Sequence, residues 1–233
     1  MYQFTEGFNR NQHFWFDKKL IENMNWAMLP KSSKAIYPVI ASYCNKHGKS
    51  FPGEHTIAAL SGRTEKVVRQ GIDGLTEFPG FKFEYYTTKR GRRAKRYLLS
   101  FPQKEKGRSF PFHKNIIEGG NWSQLKPTAA ALYPVMRYFG YYDQDETDDD
   151  SDVFVSFPNR ECDFCCAESS ILAKYAGIAR SSITKALNNL VESSLIAESN
   201  PRVNGWKVFL HPPSYFKRDY LNENIMSGRC AQA

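Results

Sequence analysis

The stretch FDKKLIENMNWAMLPKSSKAIYPV (16–39) returns as FHKNIIEGGNWSQLKPTAAALYPV (112–135), 96 residues further along the chain. Eleven of these 24 positions are identical, among them Phe16/Phe112, Trp26/Trp122, Ala35/Ala131, Tyr37/Tyr133 and Pro38/Pro134. A repeat near 100 residues means two copies of one domain, not a solenoid of short units. The 233 residues leave room for two such domains. The expected division is 1–106 and 107–233, with the break in the polar, charged stretch Gln103–Ser109.

Each copy reads the same way. Ser32, Ser33 or Thr128 can cap a helix that carries Ala35, Ile36, Val39, Ile40 and Tyr43 at helical spacing in the first copy. Pro38 and Pro134 fit that helix only in its first turn or at a kink. A short helix follows, over 55–60 or 170–175, then a turn at Gly62 or Gly177. A second helix follows, over 64–75 or 179–190, and then a hairpin. A shift of 115 aligns the turn glycines and the pairs Ala58/Ala173, Val68/Ile183, Ile72/Leu187 and Leu75/Leu190. The second copy therefore carries about 19 more residues, expected in the acidic run 143–152 and around 161–167. On this reading Trp26, Trp122, Tyr37 and Tyr133 are core residues.

Charge separates the copies. Residues 1–110 hold 20 Lys and Arg against 9 Asp and Glu, whereas 111–233 hold 12 against 15. Six of the cations lie in KRGRRAKRY (89–97), between two aromatic, β-branched flanks. That pattern predicts a hairpin with a basic tip. A net charge of +8 leans towards a polyanionic partner. No apolar run is long enough for a membrane span, MYQFTEGFNRNQ lacks a signal-peptide core, and five cysteines have no framework spacing. The expected setting is a reducing, cytoplasmic one, with no membrane partner.

Val68, Ile72 and Leu75 facing the core would turn Glu65, Lys66, Arg69, Gln70 and Asp73 outward. The outward set of the second copy is Arg180, Ser181, Thr184, Lys185 and Asn188. Such side chains can bond base edges and phosphates. The segment FPGEHTIAALSGRTEKVVRQGIDGL resembles the winged helix-turn-helix domains of bacterial and phage replication and regulatory proteins. Tyr43-Cys44-Asn45, Phe51-Pro52, Ala58, Gly62, Thr64, Val68, Ile72 and Leu75 carry the likeness, and Arg63 and Val67 depart from it. The second copy joins through Phe157-Pro158, Leu172-Ala173, Gly177-Ile178, Ile183, Leu187 and Leu190. Tandem winged helices in one chain are also similar in architecture to plasmid replication initiators.

The resemblance implies a mainly helical α+β fold of two winged helices that bind double-stranded DNA. It implies a regulator of transcription or an initiator of replication on a bacterial, phage or plasmid genome. The expected contacts are Arg63, Thr64, Lys66, Arg69 and Gln70 in the first copy. Lys89, Arg90, Arg92, Arg93, Lys95 and Arg96 form the wing, and Arg180, Ser181, Thr184, Lys185 and Asn188 serve the second copy. The alternatives are a solvated basic loop and a second winged helix that binds a protein. Cys162, Cys165 and Cys166 have zinc-type spacing but no evident fourth ligand, so neither metal nor cofactor is expected. No phosphate loop or H-E-x-x-H motif points to an enzyme.

Overall fold

The structure is a computed structural model that describes residues 13–78, 80–100, 109–140, 162–198 and 205–210. The acidic run 143–152, Phe157-Pro158 and most of the expected boundary stretch lie outside the described residues. The fold is α+β, with about half of the described residues helical and three small antiparallel sheets.

Among the described residues, the first copy starts with strand β1 (His13–Asp17) and the short helices α1 (Lys19–Glu22) and α2 (Asn25–Met28). Helix α3 (Lys31–Ser42) is central. Then come β2 (Lys49–Ser50), α4 (Glu54–Ser61), α5 (Glu65–Thr76), β3 (Phe81–Thr87) and β4 (Arg93–Leu99), with sheet order β2-β4-β3. The second copy repeats the plan. It has β5 (Ser109–His113), α6 (Asn115–Glu118), a 3-10 turn at Trp122–Gln124 and α7 (Pro127–Gly140). Strand β6 (Cys162–Cys165), α8 (Ser169–Ala176), α9 (Ile183–Glu192), β7 (Ile196–Glu198) and β8 (Trp206–Phe209) complete it, with sheet order β6-β8-β7.

The predicted helices are present, with corrected ends. Ser33 does not cap α3, because its hydroxyl donates to the Gly71 carbonyl at 2.9 Å. The helix starts after Pro30, and α7 starts on Pro127 itself, where a missing N–H costs nothing. Pro38 and Pro134 lie well inside their helices, past the first turn. The CDFC segment is a strand, β6, that pairs with β8 from Cys162↔Phe209 to Cys165↔Trp206. It is the counterpart of β2, so the extra length of the second copy lies mainly in 141–161.

The copies do not pack separately. One hydrophobic core runs through both, and its centre is an aromatic cluster with two-fold pseudo-symmetry. Strand β1 pairs with β5 in the register Phe14↔Phe112, Trp15↔Pro111, Phe16↔Phe110. Trp15 thus faces its own counterpart at the 96-residue offset, and the pairs on either side exchange under the repeat. The stacked rings obey the same rule, with Phe14–Phe112 at 4.9 Å and Phe16–Phe110 at 5.1 Å. The hydrogen bonds do as well: Trp26 Nε1 donates to the Ala131 carbonyl and Trp122 Nε1 to the Ala35 carbonyl, both at 2.8 Å. Both indoles are fully buried, so each bond spares a polar group an unmet desolvation cost.

Candidate nucleic-acid interface

The turn between α4 and α5 is a left-handed helix end. Gly62 has φ +64°, and the Arg63 N–H returns to the Ala58 carbonyl at 3.0 Å. Gly177 repeats it with φ +61°, and the Ile178 N–H reaches the Ala173 carbonyl at 3.1 Å. Glycine is needed twice over at these positions. A Cβ on Gly62 would collide with the Ser123 carbonyl of the second copy, and one on Gly177 with the Ala27 carbonyl of the first. Ala27 and Ser123 are counterparts, so each turn is clamped against the same place in the other copy.

Thr64 caps α5, its hydroxyl accepting from the Val67 N–H at 3.4 Å. Val68, Ile72 and Leu75 are buried, which leaves Lys66, Arg69 and Gln70 exposed as the 3.6-residue period requires. Arg69 Nε donates to Glu54 Oε2 at 3.0 Å, and its Nη2 reaches Glu65 Oε2 at 3.5 Å. Glu54 Oε1 also accepts from Lys95 Nζ at 2.7 Å. One carboxylate of α4 thereby joins the exposed face of α5 to strand β4. Burial alone would raise the Glu54 carboxyl. The hydrogen bonds and charges of Lys95, then of Arg69, outweigh it and hold Glu54 below the usual carboxylate range.

The β3–β4 hairpin is built as the sequence predicts, paired from Phe81↔Leu99 to Thr87↔Arg93. Its tip closes through Thr88 N–H to the Arg92 carbonyl at 2.8 Å and Gly91 N–H to the Thr88 carbonyl at 2.9 Å. Lys89, Arg90 and Arg92 stand exposed on this tip. Below them the cations are held by neighbours. The Arg93 guanidinium lies 3.8 Å from the Tyr85 ring centroid, and Arg96 Nε donates to Glu84 Oε1 at 2.7 Å. Tyr85 is half exposed, so the Arg93–Tyr85 stack remains open to solvent.

In the second copy, Arg180 and Ser181 are exposed on a 3-10 turn ahead of α9, and Thr184, Lys185 and Asn188 are exposed along it. Lys185 and Asn188 border an open recess of about 330 Å³ with Lys126, Thr128 and Glu192. Its floor is fixed by the Lys126 N–H, which donates to Asn189 Oδ1 at 2.7 Å.

Arg63 is the expected contact that turns elsewhere. It is half-buried and its Nη2 donates to the Leu125 carbonyl of the second copy. It braces the seam between copies, and desolvation lowers its pKa. Three further groups escaped the sequence reading. Glu54 had no signal beyond its place at the start of a helix. Lys34 is buried, its Nζ donating at 2.9 Å to both the Ala27 and Ala176 carbonyls; burial, then the charge of Lys31, pushes its pKa down to about 8. Arg137 is buried against Asp163, Nε to Oδ2 at 2.9 Å, while its Nη2 donates to the Pro111 carbonyl at 2.8 Å. Cys165 is buried on β6, with burial pushing its thiol up to about 11, and Cys166 is exposed. Among the described residues no three His, Cys, Asp or Glu side chains cluster as a metal site, and no helix is long and apolar enough to cross a membrane. The chain matches no family model, no curated protein and no solved structure.

Proposed function

We propose that the chain is a tandem winged-helix protein that binds double-stranded DNA. Helices α5 and α9 are the two groove-reading helices, and the β3–β4 hairpin is the wing of the first copy. The observation that carries the reading is the Glu54 bridge, which links Arg69 on α5 to Lys95 on the hairpin. It joins the helix face to the strand of the hairpin that carries the basic tip. Lys66, Arg69 and Gln70 offer donors suited to guanine and adenine edges, and the tip offers cations suited to phosphates. The use that fits a protein of this kind is control of transcription, or initiation of replication, on a bacterial, phage or plasmid genome. It is read as a binding protein, not an enzyme.

The seam relates the two copies by a pseudo-two-fold, so the half-sites are expected in inverted orientation. Unequal sequences are expected, because Arg69 and Gln70 stand where the second copy has Thr184 and Lys185. Their centres should lie about 10 base pairs apart or a multiple of that. Selection from random DNA checks this with wild type, Arg69→Ala and Lys185→Ala. Arg69→Ala should relax one half-site only, at about 1–3 kcal/mol. Changing Arg90, Arg92, Arg93 and Lys95 together to Ala should weaken all sequences alike and flatten the salt dependence. An unchanged slope removes the wing from the interface.

A protein-binding second copy is the other reading. Ile171 on α8 and Val191 on α9 are large apolar side chains left exposed there. If Lys185→Ala alters neither the selected site nor its affinity, this reading takes over for residues 107–233.

A further inference from the structure

Glu54 is an acid between the exposed face of α5 and the basic β3–β4 hairpin, and both of its oxygens are occupied by cations of the proposed interface. The network continues outward. Arg69 Nη2 lies 3.5 Å from Glu65 Oε2, and Glu65 Oε1 lies 3.4 Å from His55 Nδ1. These groups are not sealed in the core. The Arg69 side chain is 57% exposed and that of Glu54 25%, so a duplex laid on α5 would meet both. At the matching positions the second copy has Ser169 and Thr184, and no such bridge is possible there.

We propose that Glu54 is a specificity-determining residue of the first copy: it orients Arg69 towards base edges and withholds Arg69 and Lys95 from phosphates. The inference rests on the DNA reading above. An arginine has five N–H donors. Glu54 uses the Nε–H and Glu65 shares one on Nη2, which leaves a terminal pair for a guanine edge. An untethered arginine or lysine gains from any phosphate, because neutralising it releases a counterion whatever the sequence. A cation already paired with a carboxylate gains little from that exchange. Glu54 therefore costs the protein affinity for arbitrary DNA and spares the complex in which Arg69 meets its base.

The test uses the full chain, its selected duplex and a scrambled duplex, with wild type, Glu54→Gln, Glu54→Asp and Lys95→Ala. Glu54→Gln should bind scrambled DNA more tightly, with a salt slope steeper by about one for each cation set free. Its base preference at the Arg69 position should fall about tenfold. Glu54→Asp keeps the charge on a shorter arm and should retain the wild-type slope. Lys95→Ala should not tighten binding to scrambled DNA. Thermal unfolding checks that the variants are folded, and a purely structural role for Glu54 would not move the salt slope. A folded Glu54→Gln with wild-type slope and preference overturns the inference alone, as does equal weakening on both duplexes. If wild type binds neither duplex in a salt-dependent way, the DNA reading falls and takes this inference with it.

Discussion

Trp26 and Trp122 each donate to an alanine carbonyl of the other copy at the same 2.8 Å, whereas Arg69 and Thr184, at matching positions on α5 and α9, share neither charge nor partner. The two copies have kept the aromatic centre that they press against each other and changed most of what they turn outward. A seam with two-fold pseudo-symmetry couples its halves. The Trp26 indole bonds a carbonyl of α7 that is the counterpart of the α3 carbonyl bonded by Trp122, so one set of residues fills both roles. The outward faces carry no such coupling. One could become basic and bridged by Glu54 while the other, in the copy that carries the acidic run, did not. The interface between copies is therefore where the repeat is most visible in sequence.

The largest expected effect tests whether the seam is as symmetric as it looks. Gly62→Ala and Gly177→Ala each force a side chain into a left-handed turn and against a carbonyl of the other copy. Both should cost about 3 kcal/mol or more, and by similar amounts, since the colliding carbonyls of Ser123 and Ala27 are counterparts. Denaturant unfolding measures it. A severe loss in one copy only would mean that the two turns are held by different means.

Next come the indoles. Trp26→Phe and Trp122→Phe remove a buried hydrogen bond to the other copy and leave space where the larger indole packed, at about 2 kcal/mol each. Unfolding should stay a single transition in both variants, because one core spans both copies. Two separate transitions would break the picture of a shared core.

A smaller effect is expected from a position where the copies differ. Lys34 stands where the second copy has Ala130, and it reaches across the seam to the Ala176 carbonyl. Its pKa falls to about 8 in the fold, below the value near 10.4 of an unfolded lysine. Between these values the unfolded chain binds more protons, so stability from this group rises with pH from about 8 to about 10. Lys34→Met should flatten that rise, read as melting temperature across the window.

Much of this was legible in the sequence. The 96-residue repeat, the helix pair around each glycine and the basic hairpin follow from spacing and residue type. The burial of Val68, Ile72 and Leu75 follows from the same period. The shared seam was not legible, because a buried tryptophan does not say whose carbonyl it meets. Strand β6 was hidden because CDFC reads as a metal motif until Cys165 is seen to turn inward. Arg63 looked like a DNA contact because charge next to a turn reads as surface, and only the packing of the second copy beneath it supplies the Leu125 carbonyl. Glu54 was missed because an acid at a helix start is already explained by the helix dipole.

The smallest expected effect concerns one turn that the two copies solve with different residues. Met24 has φ 61°, and its counterpart Gly120 has φ 84°, each just before a repeated Asn-Trp pair. The shared left-handed geometry is imposed by the short helix that follows, which must bring Trp26 or Trp122 under the other copy. For an L-residue such a conformation costs about 1 kcal/mol, and glycine avoids that cost but loses more backbone entropy on folding. Around Gly120 an added Cβ meets nothing closer than the Ser123 hydroxyl oxygen, at 4.0 Å, so only the backbone term should count there. Gly120→Ala should thus destabilise by about 1 kcal/mol, and Met24→Gly should change stability by less than that, since its two terms oppose. Denaturant unfolding of both variants reads the difference. A loss well above 1 kcal/mol for Gly120→Ala would mean that the second copy packs this turn more tightly than the first, and the seam would be symmetric in its bonds but not in its packing.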